Sequence, residues 1–302
     1  MPHKTELSVD GSDLKPSAAE SPHRDFDSRR QQIDRAYDNG AVFPDVPEWR
    51  LTWQRRSKEV AIPPSAKLDL AYGEAPSQTL DVFPHTDPRA ATAVFVHGGY
   101  WSRNSKETFR FLVRGVHAAG LHAVFIGHTL APHAHMDQIV AEVRSAADWI
   151  FRHLGDFGFA VRPLILLGWS SGAQLAAMTM RAPYVAGAIG ISGVYDLEPM
   201  RHGTINDLLR LDEDEARRNS PALHLPARAA PFFVAYGGRE LPAFRSQSEE
   251  FHRAWTTAGL AGSLLPLPGH HHHSVLDELY EPDGKLTRAL AGMIQNASSP
   301  SG

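Results

Sequence analysis

Short apolar runs alternate with longer amphipathic segments along most of the sequence, and this alternation constrains the fold more than any other feature. The apolar runs are rich in β-branched or aromatic residues, and each is closed by Gly, His, Pro or Ser, as strands commonly are. They predict strands at 91–99, 121–128, 163–169, 185–192, 231–238 and 262–268.

The segments between these runs have the periodicity of helices. In one of them Ile139, Val140, Val143, Ala147 and Ile150 fall on a single helical stripe. Apolar strands joined by helical crossovers predict an α/β fold, with a mostly parallel, twisted sheet covered by helices on both faces. In such a sheet the functional groups collect at the carboxyl ends of the strands. The predicted helices are at about 106–119, 136–154, 171–182, 243–258 and 275–294.

Composition narrows the possible chemistry and partners. The 302 residues include no cysteine, which excludes a thiolate nucleophile, a disulfide and a cysteine-based zinc site. A formal net charge of −4 gives no sign of a nucleic-acid or anionic-membrane partner. No apolar run approaches the roughly 20 residues that span a bilayer, and the polar N-terminus has no signal-peptide core. We therefore expect a cytoplasmic protein.

Polar residues dominate both ends of the chain. Residues 1–25 are predicted to be a mobile N-terminal tail, and residues 297–302 a C-terminal tail. Residues 26–296 are predicted to form a single domain. Within it, residues 26–60 and the polar insertion at 199–230 are candidates for a small helical cap over the site.

The third predicted strand runs into the sequence GWSSG, and a small-residue helix follows. A G-x-S-x-G pattern between a strand and a helix is typical of the nucleophile elbow of α/β-hydrolases. The elbow would force Ser170 into a sharp turn, and Gly168 and Gly172 would leave room for the chain and the helix to pack closely. Ser170 Oγ would then project above the sheet. The N–H of Ser171, at the helix N-terminus, would point at a developing oxyanion.

The first predicted strand runs into HGGYW, residues 97–101. Two glycines after a strand let backbone N–H groups approach a ligand without interference from side chains. In α/β-hydrolases this loop supplies the other half of the oxyanion hole, so Gly98 and Gly99 are the predicted donors. Both motifs stand at strand ends and in the expected order.

HGGYW also resembles the HGGxW motif of the arylformamidase, or kynurenine formamidase, family, a relative of the hormone-sensitive-lipase branch of the α/β-hydrolases. The resemblance implies the α/β-hydrolase fold and a serine hydrolase that cleaves N-formylkynurenine to kynurenine and formate. Further segments that resemble landmarks of the family are YDNGAVFPD (37–45), LAYGEAPSQTLDVFP (70–84), LAP (130–132), GVYDLEPM (193–200), AFRSQS (243–248) and HHSVLDEL (272–279).

Several positions near the predicted pocket depart from the family's usual residues. They are Gly127-His128 for Asn/Asp-Tyr, Trp169 for His, Ser171 for Ala, Gln174 for His, Glu240 for Asp and His273 for Phe. These changes spare the mechanism that the resemblance implies. They affect the prediction of the substrate more than the prediction of the reaction type.

Two carboxylates are candidates for the acid of a catalytic triad. Glu240 follows the strand predicted at 231–238, the usual place for the acid, and aligns with the family's Asp. Asp196 follows the strand predicted at 185–192, a less common position, and is suited to capping a turn. Glu240 is favoured, because its longer arm can still orient an imidazole and stabilise imidazolium.

Four consecutive histidines, 270–273, lie between the last predicted strand and the last predicted helix, whose start is marked by Ser274 and Asp277. The order Ser, acid, His in α/β-hydrolases places the base here. The residues alone do not choose among the four, and the family pattern of His, aromatic, Ser implies His272. A metal cluster is the competing interpretation. Adjacent residues cannot all reach one ion, however, and no HExxH or other firm ligand spacing accompanies them.

Three functions are compatible with these motifs. The first is an arylformamidase, and the second is a carboxylesterase that acts on short acyl esters with the same triad. The third is a non-catalytic binding protein, against which the intact Ser-acid-His set argues. Tyr100, Trp101 and Trp169 are the candidate pocket residues, and they would narrow the acyl side to a formyl-sized group; Trp101 is explained equally well as a core aromatic. The expected substrate is a small molecule, with no cofactor or metal, and the oligomeric state, a homodimer included, stays open.

Overall fold

A computed structural model describes residues 22–298, and within that range eight strands form one sheet in the order β1-β2-β4-β3-β5-β6-β7-β8. β2 pairs antiparallel with β1 and β4, and the remaining neighbours pair in parallel. The strands are β1 (Lys67–Ala71), β2 (Thr79–Phe83), β3 (Ala91–Val96), β4 (Leu121–Ile126), β5 (Leu164–Trp169), β6 (Val185–Ile191), β7 (Phe232–Gly237) and β8 (Gly262–Leu267).

Helices cover both faces of this sheet. They are α1 (Pro22–Tyr37), α2 (Asn39–Val42), α3 (Val46–Lys58), α4 (Val113–Ala118), α5 (Met136–His153), α6 (Ser171–Thr179), α7 (Asn206–Leu209), α8 (Glu213–Arg218), α9 (Pro242–Thr257), α10 (Asp277–Tyr280) and α11 (Lys285–Ser298). Short 3-10 turns are at Lys106–Leu112, Leu154–Phe157, Glu198–His202, Pro221–Leu223 and Ser274–Leu276.

Strand β5 shows how the two faces are filled. Leu164 and Leu166 join a buried cluster that includes residues of α5, α6 and α9. Ile165 and Leu167 point the other way, into a cluster that includes residues of α4 and α11. Because side chains alternate along a strand, a strand buried on both faces must be apolar throughout. The prediction of an α/β fold with a mostly parallel, doubly covered sheet is confirmed.

The six predicted strands correspond to β3 through β8, and β1 and β2 were missed. β2 carries Asp81, a charged residue in the middle of a short run, which hides the strand pattern. The Asp81 carboxylate is fully buried, and it lies 2.8 Å from both Lys106 Nζ and Arg110 Nη2. These two cations offset the cost of placing the charge inside the sheet.

Two predicted helices are divided in the structure. The segment predicted at 106–119 begins as the 3-10 turn Lys106–Leu112 and becomes α-helical only in α4. The segment predicted at 275–294 breaks between α10 and α11, at the sequence EPDG. There the chain turns tightly, and a Cβ on Gly284 would lie 2.2 Å from the carbonyl oxygen of Glu278.

Helices in the structure extend a few residues into both predicted tails. α1 begins at Pro22, so residues 22–25 are helical rather than part of a tail, and α11 includes residues 297–298. Proline suits the first position of a helix, where its missing N–H is not needed. The rest of the predicted tails, 1–21 and 299–302, lies outside the described residues. The assignment of residues 26–296 to a single domain stays a prediction.

Candidate active site

Ser170 stands at the junction of β5 and α6, in the sharp turn that the sequence predicts. Its backbone has φ 56° and ψ −125°, a conformation that residues other than glycine rarely adopt. The flanking glycines allow the turn: a Cβ on Gly168 would lie 2.2 Å from the carbonyl oxygen of Gly172, and one on Gly172 would lie 2.1 Å from that of Val96. The strand, the helix and β3 therefore approach too closely for any larger residue at either position.

Ser170, His272 and Glu240 form a continuous chain of contacts. His272 Nε2 lies 3.1 Å from Ser170 Oγ, and His272 Nδ1 lies 3.2 Å from Glu240 Oε2. The three side chains come from the carboxyl-end connections after β5, β7 and β8, and all three residues are buried. An imidazole held between a hydroxyl and a carboxylate can accept a proton from the hydroxyl.

The second oxygen of Glu240 is held by two donors. Ser192 Oγ–H donates to Glu240 Oε1 at 2.5 Å, and the N–H of Gly237 donates to the same oxygen at 2.6 Å. Asp196, the alternative acid, instead accepts from the N–H of Glu198 at 3.0 Å, in the turn that the sequence predicts for it. The carboxylate in contact with His272 is therefore Glu240. Sequence analysis missed Ser192, although its place just after β6 was a signal.

The neighbours of His272 in the histidine run face other partners. His271 Nε2 lies 3.1 Å from Asp45 Oδ2, and the His271 ring stacks on Phe43 with 4.8 Å between centroids. The ring of His273 stacks on Trp53, with 5.4 Å between centroids. These contacts tie the loop after β8 to α3 and the segment just before it.

His270 points in yet another direction. Its Nε2 lies 3.0 Å from Glu278 Oε1, and its Nδ1 donates to the carbonyl oxygen of Ser274. Ser274 does not cap a long helix as predicted, because its Oγ accepts from the N–H of His271 inside the loop. Nowhere in residues 22–298 are three or more His, Cys, Asp or Glu side chains grouped so that they could hold a metal ion.

The HGGYW loop packs directly on the turn that holds Ser170. A Cβ on Gly98 would lie 2.4 Å from the carbonyl oxygen of Trp169, so the loop cannot approach this closely with any other residue. Gly99 has φ 132°, again a conformation that favours glycine, and it lines the cavity above Ser170, which Gly98 and Ser171 do not. Ser171 Oγ accepts from the N–H of Trp101 at 3.4 Å and so links the loop to α6.

The aromatic residues of this loop have different surroundings. Tyr100 lines the cavity, and its hydroxyl donates to the carbonyl oxygen of Tyr37 at 2.5 Å. Trp101 is not among the residues that line the cavity, and of the two interpretations that the sequence left open its surroundings are those of a core aromatic. Its side chain is buried in the core, where the indole N–H donates to Gln174 Oε1 at 2.9 Å. Gln174 Nε2 in turn donates to the carbonyl oxygen of Asn219, which joins the loop to the 199–230 insertion.

Trp169 has a structural contact in addition to its place on the cavity wall. Its indole N–H donates to the backbone carbonyl oxygen of His272 at 2.9 Å. The ring also packs edge-on against Trp53, with 5.1 Å between centroids. Trp169, which precedes Ser170 in the chain, therefore holds the backbone of His272 in place.

Burial keeps several rings around the site neutral. Burial, together with the nearby charges of His272, Arg50 and His271, lowers the pKa of His273 to about 2. Burial, and then the charge of His128, lowers the pKa of His97 to about 3. The ring of His97, the first residue of HGGYW, stacks on that of His128, with 4.6 Å between centroids.

A cavity of about 550 Å³ opens above Ser170, a size common in small-molecule sites. Both candidate cap segments contribute to its wall. From 26–60 come Ile33, Asp34, Tyr37, Asp38, Asn39, Gly40, Val46, Pro47, Arg50 and Trp53, and from 199–230 come Met200, Gly203, Thr204, Ile205 and Leu208.

The decisive comparison is with the kynurenine formamidase of Danio rerio. This enzyme is 32% identical over 242 residues, which span 75% of this chain and 81% of the relative. The chain belongs to the kynurenine formamidase family. The resemblance predicted from HGGYW and the other landmarks is thereby confirmed.

The chain is also similar to proteins that carry other descriptions. Esterase LipC of Mycobacterium tuberculosis is 27% identical over 67% of this chain and 58% of the relative. A solved structure from Silicibacter sp. TM1040, described provisionally as a thioesterase, has a TM-score of 0.79 at 25% identity and covers 86% of this chain and 98% of its own. The family model described as BD-FAE matches residues 80–187.

These findings establish the class of the protein. The fold is that of the α/β-hydrolases, and the chain is a serine hydrolase of the formamide or ester type that acts on a small molecule. The non-catalytic alternative is therefore not supported. Among residues 22–298, no helix is both long enough and apolar enough to cross a membrane.

Proposed function

We propose that this member of the family hydrolyses N-formylkynurenine to kynurenine and formate with a triad of Ser170, His272 and Glu240. The observation that carries the proposal is the position of His272, with one ring nitrogen 3.1 Å from Ser170 Oγ and the other 3.2 Å from Glu240 Oε2. The name of the Danio rerio relative supports the substrate.

In the proposed reaction, His272 Nε2 takes the proton of Ser170 as Oγ attacks the formyl carbon. Glu240 holds the ring by Nδ1 and stabilises the imidazolium that forms. His272 then gives the proton to the amide nitrogen, the C–N bond breaks, and kynurenine leaves as an aromatic amine. Water, activated by His272, next attacks the formyl ester of Ser170, and formate is released.

Backbone N–H groups are the proposed stabilisers of the oxyanion. The proposed donors are the N–H groups of Gly98, which packs against Ser170, of Gly99, which lines the cavity, and of Ser171. Ser171 begins helix α6, whose dipole favours negative charge at this end. Loss of one such donor typically costs about 3–4 kcal/mol of transition-state stabilisation.

The acyl side of the proposed substrate is small. Tyr100 and Trp169 both line the cavity beside Ser170, and their position supports a site that accepts a formyl group more readily than a longer acyl chain. An aromatic amine is also a better leaving group than an alkyl amine, so the chemistry of N-formylkynurenine suits this triad. The cap proposed for 26–60 and 199–230 would enclose the aromatic portion.

A carboxylesterase is the second candidate function, and the likeness to Esterase LipC favours it. The two are separated by kcat/KM for N-formylkynurenine, p-nitrophenyl acetate and p-nitrophenyl butyrate. We expect N-formylkynurenine to be hydrolysed best and the esters to decline as the acyl chain grows, by about 1–3 kcal/mol per methylene. Rapid turnover of the butyrate ester without any hydrolysis of N-formylkynurenine would establish the esterase instead.

The role of Ser170 is tested separately from the substrate. Ser170→Ala should fold normally, lose labelling by a fluorophosphonate probe and lose nearly all hydrolysis of every acyl substrate. Ser171→Ala is the matched control, because it removes a neighbouring hydroxyl and keeps the backbone N–H. Labelling of Ser170→Ala at the wild-type rate would refute the proposed nucleophile.

A further inference from the structure

Four carboxylate and guanidinium side chains line the cavity above Ser170. They are Asp34, Asp38, Arg50 and Arg103, two of each sign, so their formal charges cancel. A short neutral ester carries no charge that these four side chains could pair with. A ligand that carries both a positive and a negative charge is complementary to it.

Contacts within the protein leave some of these groups free for a ligand. Asp34 is engaged, because its carboxylate accepts from both the N–H and the hydroxyl of Thr204. Among the side chains that the structure describes, 27–294, Asp38 makes no ion pair, and its carboxylate accepts from the N–H of Ala41 at 3.2 Å at the start of α2. Within the same range neither Arg50 nor Arg103 has an ion-pair partner.

Asp38 and Arg103 flank the same residue, Tyr100. The Tyr100 hydroxyl donates to the carbonyl oxygen of Tyr37, the residue immediately before Asp38. Arg103 Cζ lies over the Tyr100 ring, 5.6 Å from its centroid. Arg50 belongs instead to α3, and its charge acts on His273. The charges of Asp38 and Arg103 both act on the Tyr100 hydroxyl, so this acid and this cation lie close to the same residue of the cavity wall.

We propose that Asp38 and Arg103 form a subsite for an α-amino acid group, in which Arg103 binds the carboxylate and Asp38 binds the ammonium. The subsite rests on the proposed function, because the α-amino acid end of N-formylkynurenine is the group it would receive. Guanidinium groups bind carboxylates through paired hydrogen bonds, and a carboxylate is the matching acceptor for an ammonium. The subsite determines specificity on the leaving-group side, and Tyr100 separates it from the acyl side.

The test measures binding of the product and two analogues by calorimetry, which requires no turnover. The ligands are L-kynurenine, kynuramine, which lacks the carboxylate, and the deaminated acid 4-(2-aminophenyl)-4-oxobutanoate. Arg103→Gln should weaken L-kynurenine and the deaminated acid about tenfold, the size of one charge-assisted contact at an exposed site, and leave kynuramine unchanged. Asp38→Asn should weaken L-kynurenine and kynuramine and leave the deaminated acid unchanged.

Two controls separate the subsite from general effects of charge. Arg50→Gln removes a cation from the same cavity, and Arg228→Gln removes an exposed cation outside it. Arg228→Gln should bind all three ligands as the wild type does, and Arg50→Gln should not show the loss restricted to the two carboxylate ligands that is expected of Arg103→Gln. The backbone N–H of Arg103 donates to the carbonyl oxygen of Gly99 and is kept in Arg103→Gln, so the turn should persist.

The subsite is refuted if Arg103→Gln leaves L-kynurenine binding unchanged, if it weakens all three ligands equally, or if the effect appears at Arg50 instead. Failure of the proposed function has a different signature. If the ligands and variants show the expected pattern of binding but the wild-type protein does not hydrolyse N-formylkynurenine, the subsite is present and the protein catalyses a different reaction. Hydrolysis of N-formylkynurenine with unaltered binding in Arg103→Gln supports the reaction and refutes the subsite.

Discussion

Trp169 donates its indole N–H to the backbone carbonyl oxygen of His272, over 2.9 Å. The bond joins the turn that carries Ser170 to the loop that carries the proposed base. Both groups are buried, so neither has water as an alternative partner. The distance between Ser170 Oγ and His272 Nε2 therefore depends on a side chain that takes no part in proton transfer.

Replacement of this tryptophan should lower the rate more than the affinity. Trp169→Phe keeps a ring but leaves the His272 carbonyl unpaired, which should cost about 1–3 kcal/mol of stability. We expect kcat to fall by about tenfold, with a smaller change in KM and an altered pH profile of kcat/KM, because the base shifts relative to Ser170. Trp255→Phe is the matched control: it removes a similar bond, to the carbonyl oxygen of Ala261 at 2.8 Å, at a site that does not line the cavity above Ser170. Equal kcat values for the two variants would contradict a positioning role for Trp169.

Glu240 should be required for its charge. Glu240→Gln keeps the shape but cannot stabilise imidazolium, so kcat should fall by at least about a hundredfold. Asp196→Asn, which alters the turn acid, should affect stability and leave kcat near that of the wild type. Steady-state kinetics and urea unfolding of both variants check this. The reverse ranking would move the triad acid to Asp196.

The four histidines should differ sharply in their effect on turnover. His272→Ala should be as damaging as Ser170→Ala, because triad members act as a unit. His270→Ala, His271→Ala and His273→Ala should each cost far less, since their rings contact Glu278, Asp45 and Trp53 respectively. A metal mechanism would give another result: chelators would abolish activity and zinc would restore it.

Acid should destabilise the fold through its buried rings. The folded-state pKa values of His97 and His273 lie far below the ~6.5 of an unfolded chain, at about 3 and about 2. The unfolded state therefore binds more protons below pH ~6.5, and stability is lost as the pH falls from there. Each ring should remove about 1 kcal/mol from the free energy of unfolding between pH 6.5 and 5.5, and the slope approaches about 1.4 kcal/mol per pH unit at lower pH. Urea unfolding at pH 7.5, 6.5 and 5.5 measures the slope.

A variant assigns part of this slope to one ring. His97→Asn should flatten the pH dependence of unfolding between 6.5 and 5.5, because one proton-binding difference is lost. His133→Asn, at an exposed position, is the control. An unchanged slope in His97→Asn would show that the acid sensitivity has another origin.

Local signals and chain order predict the fold, Ser170 and the loop that holds the histidine, whereas the choice of His272 among the four histidines came from the family resemblance. Each of the three residues follows a strand, and parallel strands bring their carboxyl ends to one edge. Strand β2 was missed because the charge of Asp81 is buried there with the help of Lys106 and Arg110, partners that no local pattern indicates. The same holds for Ser192, which reaches Glu240 only in the folded chain.

The position of Trp101 in the HGGYW motif left two interpretations open, a pocket residue and a core aromatic. Its side chain lies in the core, and both Tyr100 and Trp101 have positive φ values, 53° and 54°. Such values cannot be read from the identity of two aromatic residues. The separate directions of the four histidines could not be predicted either, because a loop without a regular repeat gives no rule for where each side chain points.

The pairing of His271 with Asp45 joins residues that are 226 positions apart in the chain. Asp45 lies just before α3 and His271 lies in the loop after β8, so both segments must be present before this contact can form. We expect a chain that lacks the segment after β7 to be inactive, even where the rest of its sheet forms. Catalytic competence should therefore require the loop after β8 to dock against α3 and the segment just before it.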